Sequence, residues 1–106
     1  MPTYKVLAQS APSAATATTL LTATSATIVS TLNASNIGGT QDTIRIAVRP
    51  AGAALANQHY IAYGIPLAAG AVFSIQGGIT LANTDVITVY STTGNTSFSA
   101  FGSDSN

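Results

Sequence analysis

The acid–base inventory of this 106-residue chain is one histidine and three aspartates, with no glutamate and no cysteine. A hydrolytic triad would have to join His59 to Asp42 or Asp85 and to one of the many serines. The Gly-x-Ser-x-Gly elbow that exposes such a nucleophile is absent. A metal centre needs several converging ligands, and one imidazole with three scattered carboxylates does not provide them. Glycoside cleavage by paired carboxylates would have to draw on Asp42, Asp85 and Asp104. Asp42 and Asp85 each open a β-rich run after a turn, where a short acid bonds turn backbone. Asp104 sits near the carboxyl end and reads as solvated. Lack of cysteine removes disulfides, thiolate nucleophiles and zinc–thiolate sites. The glycine pairs Gly38-Gly39 and Gly77-Gly78 are not followed by the Lys-Ser/Thr of a phosphate loop. The expectation is a protein that is not an enzyme, with no catalytic residue, no cofactor and no metal.

What remains is a set of groups suited to contact. Arg45 and Arg49 fall four apart on one face of a strand, and arginine forms forked bonds to carboxylates or carbonyls of a neighbour. His59, Tyr60 and Tyr63 follow in His59-Tyr-Ile-Ala-Tyr63, a run that reads as a strand with its polar tip near an edge. Pro2 and Tyr4 stand at the start of the chain. These seven residues (Pro2, Tyr4, Arg45, Arg49, His59, Tyr60 and Tyr63) form the expected interface. Tyr4, Tyr60, Tyr63 and Tyr90, with Phe73, Phe98 and Phe101, also suit the core and rim of a sandwich.

Charge narrows the partners. Lys5, Arg45 and Arg49 balance the three aspartates, so 6% of the chain is charged and net charge is zero. Nucleic-acid binding, which rests on several phosphates being neutralised, is not expected. Nor is a polybasic membrane anchor. Val6-Leu7-Ala8 stops at Gln9-Ser10 before a signal-peptide apolar region develops, and no run of 18 apolar residues exists to span a membrane. Polarity comes instead from 16 Thr, 11 Ser, 6 Asn and 4 Gln. A surface so poor in charge tends to self-associate. Copies of this chain, or a larger assembly, are therefore the expected partners.

The elements that must position these groups show a period of two. In Asp42–Arg49, Ile44, Ile46 and Val48 share one face, and Thr43, Arg45, Ala47 and Arg49 the other. Residues 26–34 put Ile28 and Leu32 together, opposite Val29. Residues 71–75 pair Phe73 with Ile75, and residues 95–101 alternate through Phe98 and Ala100. Residues 85–90 are apolar on both faces and read as a central strand. Shorter strands are expected at 4–8, 18–24 and 59–63. Turn residues separate the runs: Pro12-Ser13, Gly38-Gly39, Pro50-Ala51-Gly52, Pro66 with Gly70, Gly77-Gly78 and Gly94-Asn95. Thr93-Gly-Asn-Thr96 has the composition of a tight hairpin. Residues 53–58 fit either one helical turn or an irregular loop. The prediction is a single domain over 1–106, an antiparallel β-sandwich or small jelly roll of about eight strands. Its core is expected to contain Ile28, Leu32, Ile44, Ile46, Val48, Phe73, Ile75, Val89 and Phe98. Residues 1–6 are expected as an extended arm that docks on a neighbour's sheet edge. The alternative is a first strand that pairs within its own domain.

Several segments carry a resemblance: Lys5-Val-Leu-Ala-Gln-Ser-Ala-Pro12, Ile28-Val-Ser-Thr-Leu-Asn-Ala-Ser-Asn36, Arg45-Ile-Ala-Val-Arg-Pro-Ala-Gly52 and His59-Tyr-Ile-Ala-Tyr63. Gly78-Ile-Thr-Leu81, Asp85-Val-Ile-Thr-Val-Tyr-Ser-Thr92 and Ser97-Phe-Ser-Ala-Phe-Gly-Ser103 continue it. Together they resemble small β-rich structural proteins of tailed bacteriophages, including phages of cyanobacteria and marine bacteria. Such relatives often carry Val-Pro in the second segment and Ala-Gly-Asp before the penultimate strand. Here those places read Leu20-Leu-Thr-Ala and Ala82-Asn-Thr-Asp85. The resemblance implies a virion component, and small size, one domain and the lack of a fibrous repeat or coiled-coil heptads favour a capsid decoration (cement) protein, trimeric and bound to the major capsid protein or other virion proteins. The alternative is a tail-tip, baseplate or fibre-associated protein involved in host attachment.

Overall fold

Threonine-rich and β-branched runs, interrupted every few residues by Gly, Pro or Asn, extend as strands because their side chains fit a pleated surface. The computed structural model describes residues 3–104. Its strands are β1 (Thr3–Ser10), β2 (Thr18–Thr22), β3 (Thr27–Asn36), β4 (Asp42–Arg49), β5 (Tyr60–Leu67), β6 (Val72–Leu81), β7 (Val86–Ser91) and β8 (Thr96–Asp104). Between β4 and β5 the chain makes two 3₁₀ turns, Pro50–Gly52 and Asn57–His59, joined by irregular backbone.

Two four-stranded sheets form, in the orders β1-β8-β3-β6 and β2-β7-β4-β5. Every pairing is antiparallel. The chain thus behaves as one long hairpin folded over itself. The β4–β5 pair forms its tip, and the pairs β3–β6, β2–β7 and β1–β8 alternate between the sheets. That is a jelly roll of eight strands. β7 lies between β2 and β4, and its residues from Val86 to Val89 are all buried, as expected of a central strand.

Leu32, Ile44, Ile46, Val89 and Phe98 are fully buried, joined by Val29, Leu81 and Ile87. Val48, Phe73 and Ile75 are half-buried against this cluster. Ile28 does not belong to the core: it is 50% exposed, while Val29 is 1% exposed. The cause is a bulge between Val29 and Thr31, seen against both β6 and β8. One extra residue, Ser30, reverses the alternation, so Thr27 and Val29 face inward before it, and Leu32 and Ala34 after it. Gly102 sits opposite that bulge. A Cβ there would lie 2.0 Å from the Ile28 carbonyl oxygen, so the close approach of β8 to β3 needs glycine.

The expected hairpin at Thr93-Gly-Asn-Thr96 is a crossover instead, because β7 and β8 lie in different sheets. Asp42 explains how this crossover is held. It is 1% exposed at the start of β4. Its Oδ1 accepts the N–H groups of Thr43 at 2.8 Å and Thr93 at 3.0 Å. Its Oδ2 accepts the hydroxyls of Ser91, on β7, and Thr96, on β8. The carboxylate thereby ties both sheets together where the chain passes between them. Burial alone would raise its pKa, but the four donors outweigh that and hold it at about 2. Gly94, in the same crossover, has φ +78°, and a Cβ would lie 2.8 Å from the Ala14 nitrogen.

The expected arm is paired at home as far as it is described: residues 3–6 join β8, with Tyr4 opposite Ser103 and Val6 opposite Phe101. Met1 and Pro2, an expected interface residue, lie outside the described residues. β1 ends its sheet, so its other edge carries no strand among the described residues.

Candidate functional site

The outward side chains of β4 meet those of its two neighbours in register. Arg45 lies directly opposite Tyr63 on β5 and Tyr90 on β7. The guanidinium carbon stands 4.5 Å from the Tyr63 ring centre and 4.4 Å from that of Tyr90, so it is stacked against both rings. Tyr60 packs edge-to-face on Tyr63, with ring centres 4.9 Å apart.

Strict alternation would place Tyr60 and Tyr63, three residues apart, on opposite faces. The strand β5 has two irregularities, and the one at Ile61, between the two tyrosines, brings them to one face. Pairing with β4 shifts at Gly64, which has φ +68°, and again at Ile61. Tyr60 consequently sits opposite outward-facing Ala47, next to the Arg45 stack.

The other expected interface residues are structural in part. Arg49 Nε donates to Thr88 Oγ1 at 3.0 Å, and one terminal nitrogen donates to the Ala53 carbonyl at 3.0 Å. It therefore pins the loop between β4 and β5 to the sheet. His59 is 8% exposed, and its Nδ1 accepts the Ala56 N–H at 3.0 Å. Tyr4 lies on the other sheet and is 84% exposed. The structure thus brings Arg45, Arg49, Tyr60 and Tyr63 to one face, puts His59 beneath its rim, and leaves Tyr4 apart. Tyr90 and Asn57 belong to this face and were not expected there. Tyr90 shares its strand face with Thr88, a signal visible in the sequence only once β7 is paired with β4.

Among the described residues no carboxylate balances this face. Asp42 is saturated by its four donors. Asp85 accepts the N–H of Ala51 at 2.8 Å and of Ala82 at 2.9 Å, which lower its pKa. Asp104 pairs with Lys5 at 3.2 Å. Arg45 has no hydrogen-bond acceptor among the described residues, and its Nε is enclosed. Among the described residues no three His, Cys, Asp or Glu side chains converge, and no helix is long and apolar enough to cross a membrane.

Comparison of the chain with known protein families, curated proteins and solved structures finds no match.

Proposed function

We propose that this chain is a non-enzymatic structural protein of a tailed-phage virion. It sits on the capsid surface as a decoration (cement) protein, a homotrimer bound to the major capsid protein. The observation that carries this reading is an apolar strip on the outer face of the β1-β8-β3-β6 sheet. Tyr4 (84% exposed) and Ile28 (50%) lie there in one row across Ser103, and Val6 (51%) pairs with half-buried Phe101 in the next. Large exposed apolar groups in contiguous positions mark a surface that is covered in the working state. So little charge surrounds them that a free monomer would associate. The free edge of β1 offers main-chain groups to an added strand. Repeated on a shell, such modest contacts hold firmly by multivalency. Jelly rolls serve both viral shells and lectins, so the fold is compatible with the reading without deciding it.

The test is a double substitution, Tyr4→Ser with Val6→Ser. It should leave the melting temperature of the domain almost unchanged and abolish both self-association in sedimentation and binding to shells lacking this protein. Unchanged assembly in the double variant would remove the strip from the interface and overturn this reading.

The tyrosine–arginine face favours a second reading, a tail-tip, baseplate or fibre-associated protein that contacts the host. Its aromatic rings and Arg45 lie on the outer face of the sheet, and Arg45 has no carboxylate partner among the described residues.

A further inference from the structure

We infer that the outer face of the β2-β7-β4-β5 sheet is a binding site for a carboxylate-bearing sugar, such as a uronic acid within a polysaccharide. The anion-binding element is Arg45. Tyr63 and Tyr90 stack against the guanidinium and fix its plane, which removes the conformational freedom that normally weakens an exposed arginine contact. Its Nε is enclosed without a hydrogen-bond partner. A planar donor pair held in this way is matched to the two oxygens of a carboxylate.

The sugar-binding element is adjacent. Asn57, Tyr60 and Tyr63 line an open groove of about 480 Å³, a size suited to one or two sugar rings. Tyrosine rings offer apolar faces to the C–H side of a pyranose and hydroxyls at their rims. The Asn57 amide supplies both a donor and an acceptor for sugar hydroxyls.

Charge selects the ligand class and argues against a second copy of this chain as occupant. Arg45 and Arg49 leave the face positive, while the three aspartates are committed to Thr43, Thr93, Ser91 and Thr96, to turn backbone, or to Lys5. A neutral sugar would leave Arg45 unused. An acidic protein segment could meet the arginine, but the groove is built from amphipathic rings and an amide. The exposed apolar strip suited to a protein partner lies on the other sheet.

The inference does not depend on whether the chain belongs to a virion. Its test is nuclear magnetic resonance titration of the intact chain with a glucuronic-acid disaccharide, with the methyl ester of that disaccharide, and with an acidic peptide. The acid should perturb Tyr60, Tyr63 and Tyr90 ring resonances in a saturable way. The ester should bind more weakly, on the order of tenfold, as expected for loss of a forked charged contact. Arg45→Gln should reproduce that loss, and Tyr63→Ser, which removes a wall of the groove and one of the two rings stacked on Arg45, should also weaken binding while amide spectra show an intact fold. Absence of saturable shifts, equal affinity for acid and ester, or undiminished binding by both variants would overturn the site. So would saturable binding of the peptide in place of the sugar, which would assign the face to a protein partner.

Discussion

Asp42→Ala should cost the domain about 3–5 kcal/mol, a large part of the stability of a small protein. The carboxylate is buried and accepts four hydrogen bonds, two from backbone N–H groups that cannot turn away. Removing it strands those donors at the point where β7 crosses to β8. Asp42→Asn should cost less than the alanine change. Its amide oxygen can keep the Thr43 and Thr93 N–H groups, and its amide nitrogen can donate to the Ser91 and Thr96 hydroxyls, which can rotate to accept. The same residue sets an acid limit. Its folded pKa of about 2 lies below its ordinary value of 3.8, so its contribution is complete above pH 3.8 and is lost as pH falls through 2. The difference corresponds to about 2 kcal/mol. Urea titrations at pH 6 and pH 2.5 check both points: the wild type should lose stability between them, and Asp42→Ala should lose less. An alanine variant as stable as the wild type would contradict the role of Asp42 as a clasp.

Phe98→Ala should cost a further and independent 3–5 kcal/mol or so, the range for deleting a buried phenylalanine. Phe98 is 0% exposed, and its cross-strand neighbours are Ala34 and Ser10. Those small side chains leave room for the ring and cannot refill the space once it is gone. Chemical denaturation measures the loss. A value below about 1 kcal/mol would place Phe98 outside the core and change the register of β8.

Much of this fold was legible in the residues because burial on one sheet face writes itself as a two-residue period. Ile44, Ile46 and Phe98 fall on the inward side as their spacing requires, and Val86 to Val89 read as central because both faces are apolar. The misreadings come from single inserted residues. Ser30 reverses the phase of β3, so Ile28 and Val29 exchange roles. An extra residue at Ile61 likewise changes the phase of β5, which is why Tyr60 and Tyr63, both expected at the interface, share a face despite their odd spacing. A bulge leaves no periodic mark of its own, and a glycine or serine fits a turn equally well. The crossover at Gly94 has the composition of a hairpin, and its true course is set by a residue some fifty positions away, Asp42. The site was half legible. Arg45 and Arg49 share a face by spacing alone, but the Arg45 stack needs Tyr90 from a strand that only the sheet order brings beside it.

The most direct test of the proposed virion role is the copy number of this chain in tailed-phage particles purified from the source of this sequence. Quantitative peptide mass spectrometry, scaled to the major capsid protein, gives that number. A decoration protein repeated by shell symmetry should be present on the order of hundreds of copies per particle. Roughly six to a few dozen copies would place it in the tail, as expected from the lower symmetry of that organelle, and absence from washed particles would contradict a virion role altogether.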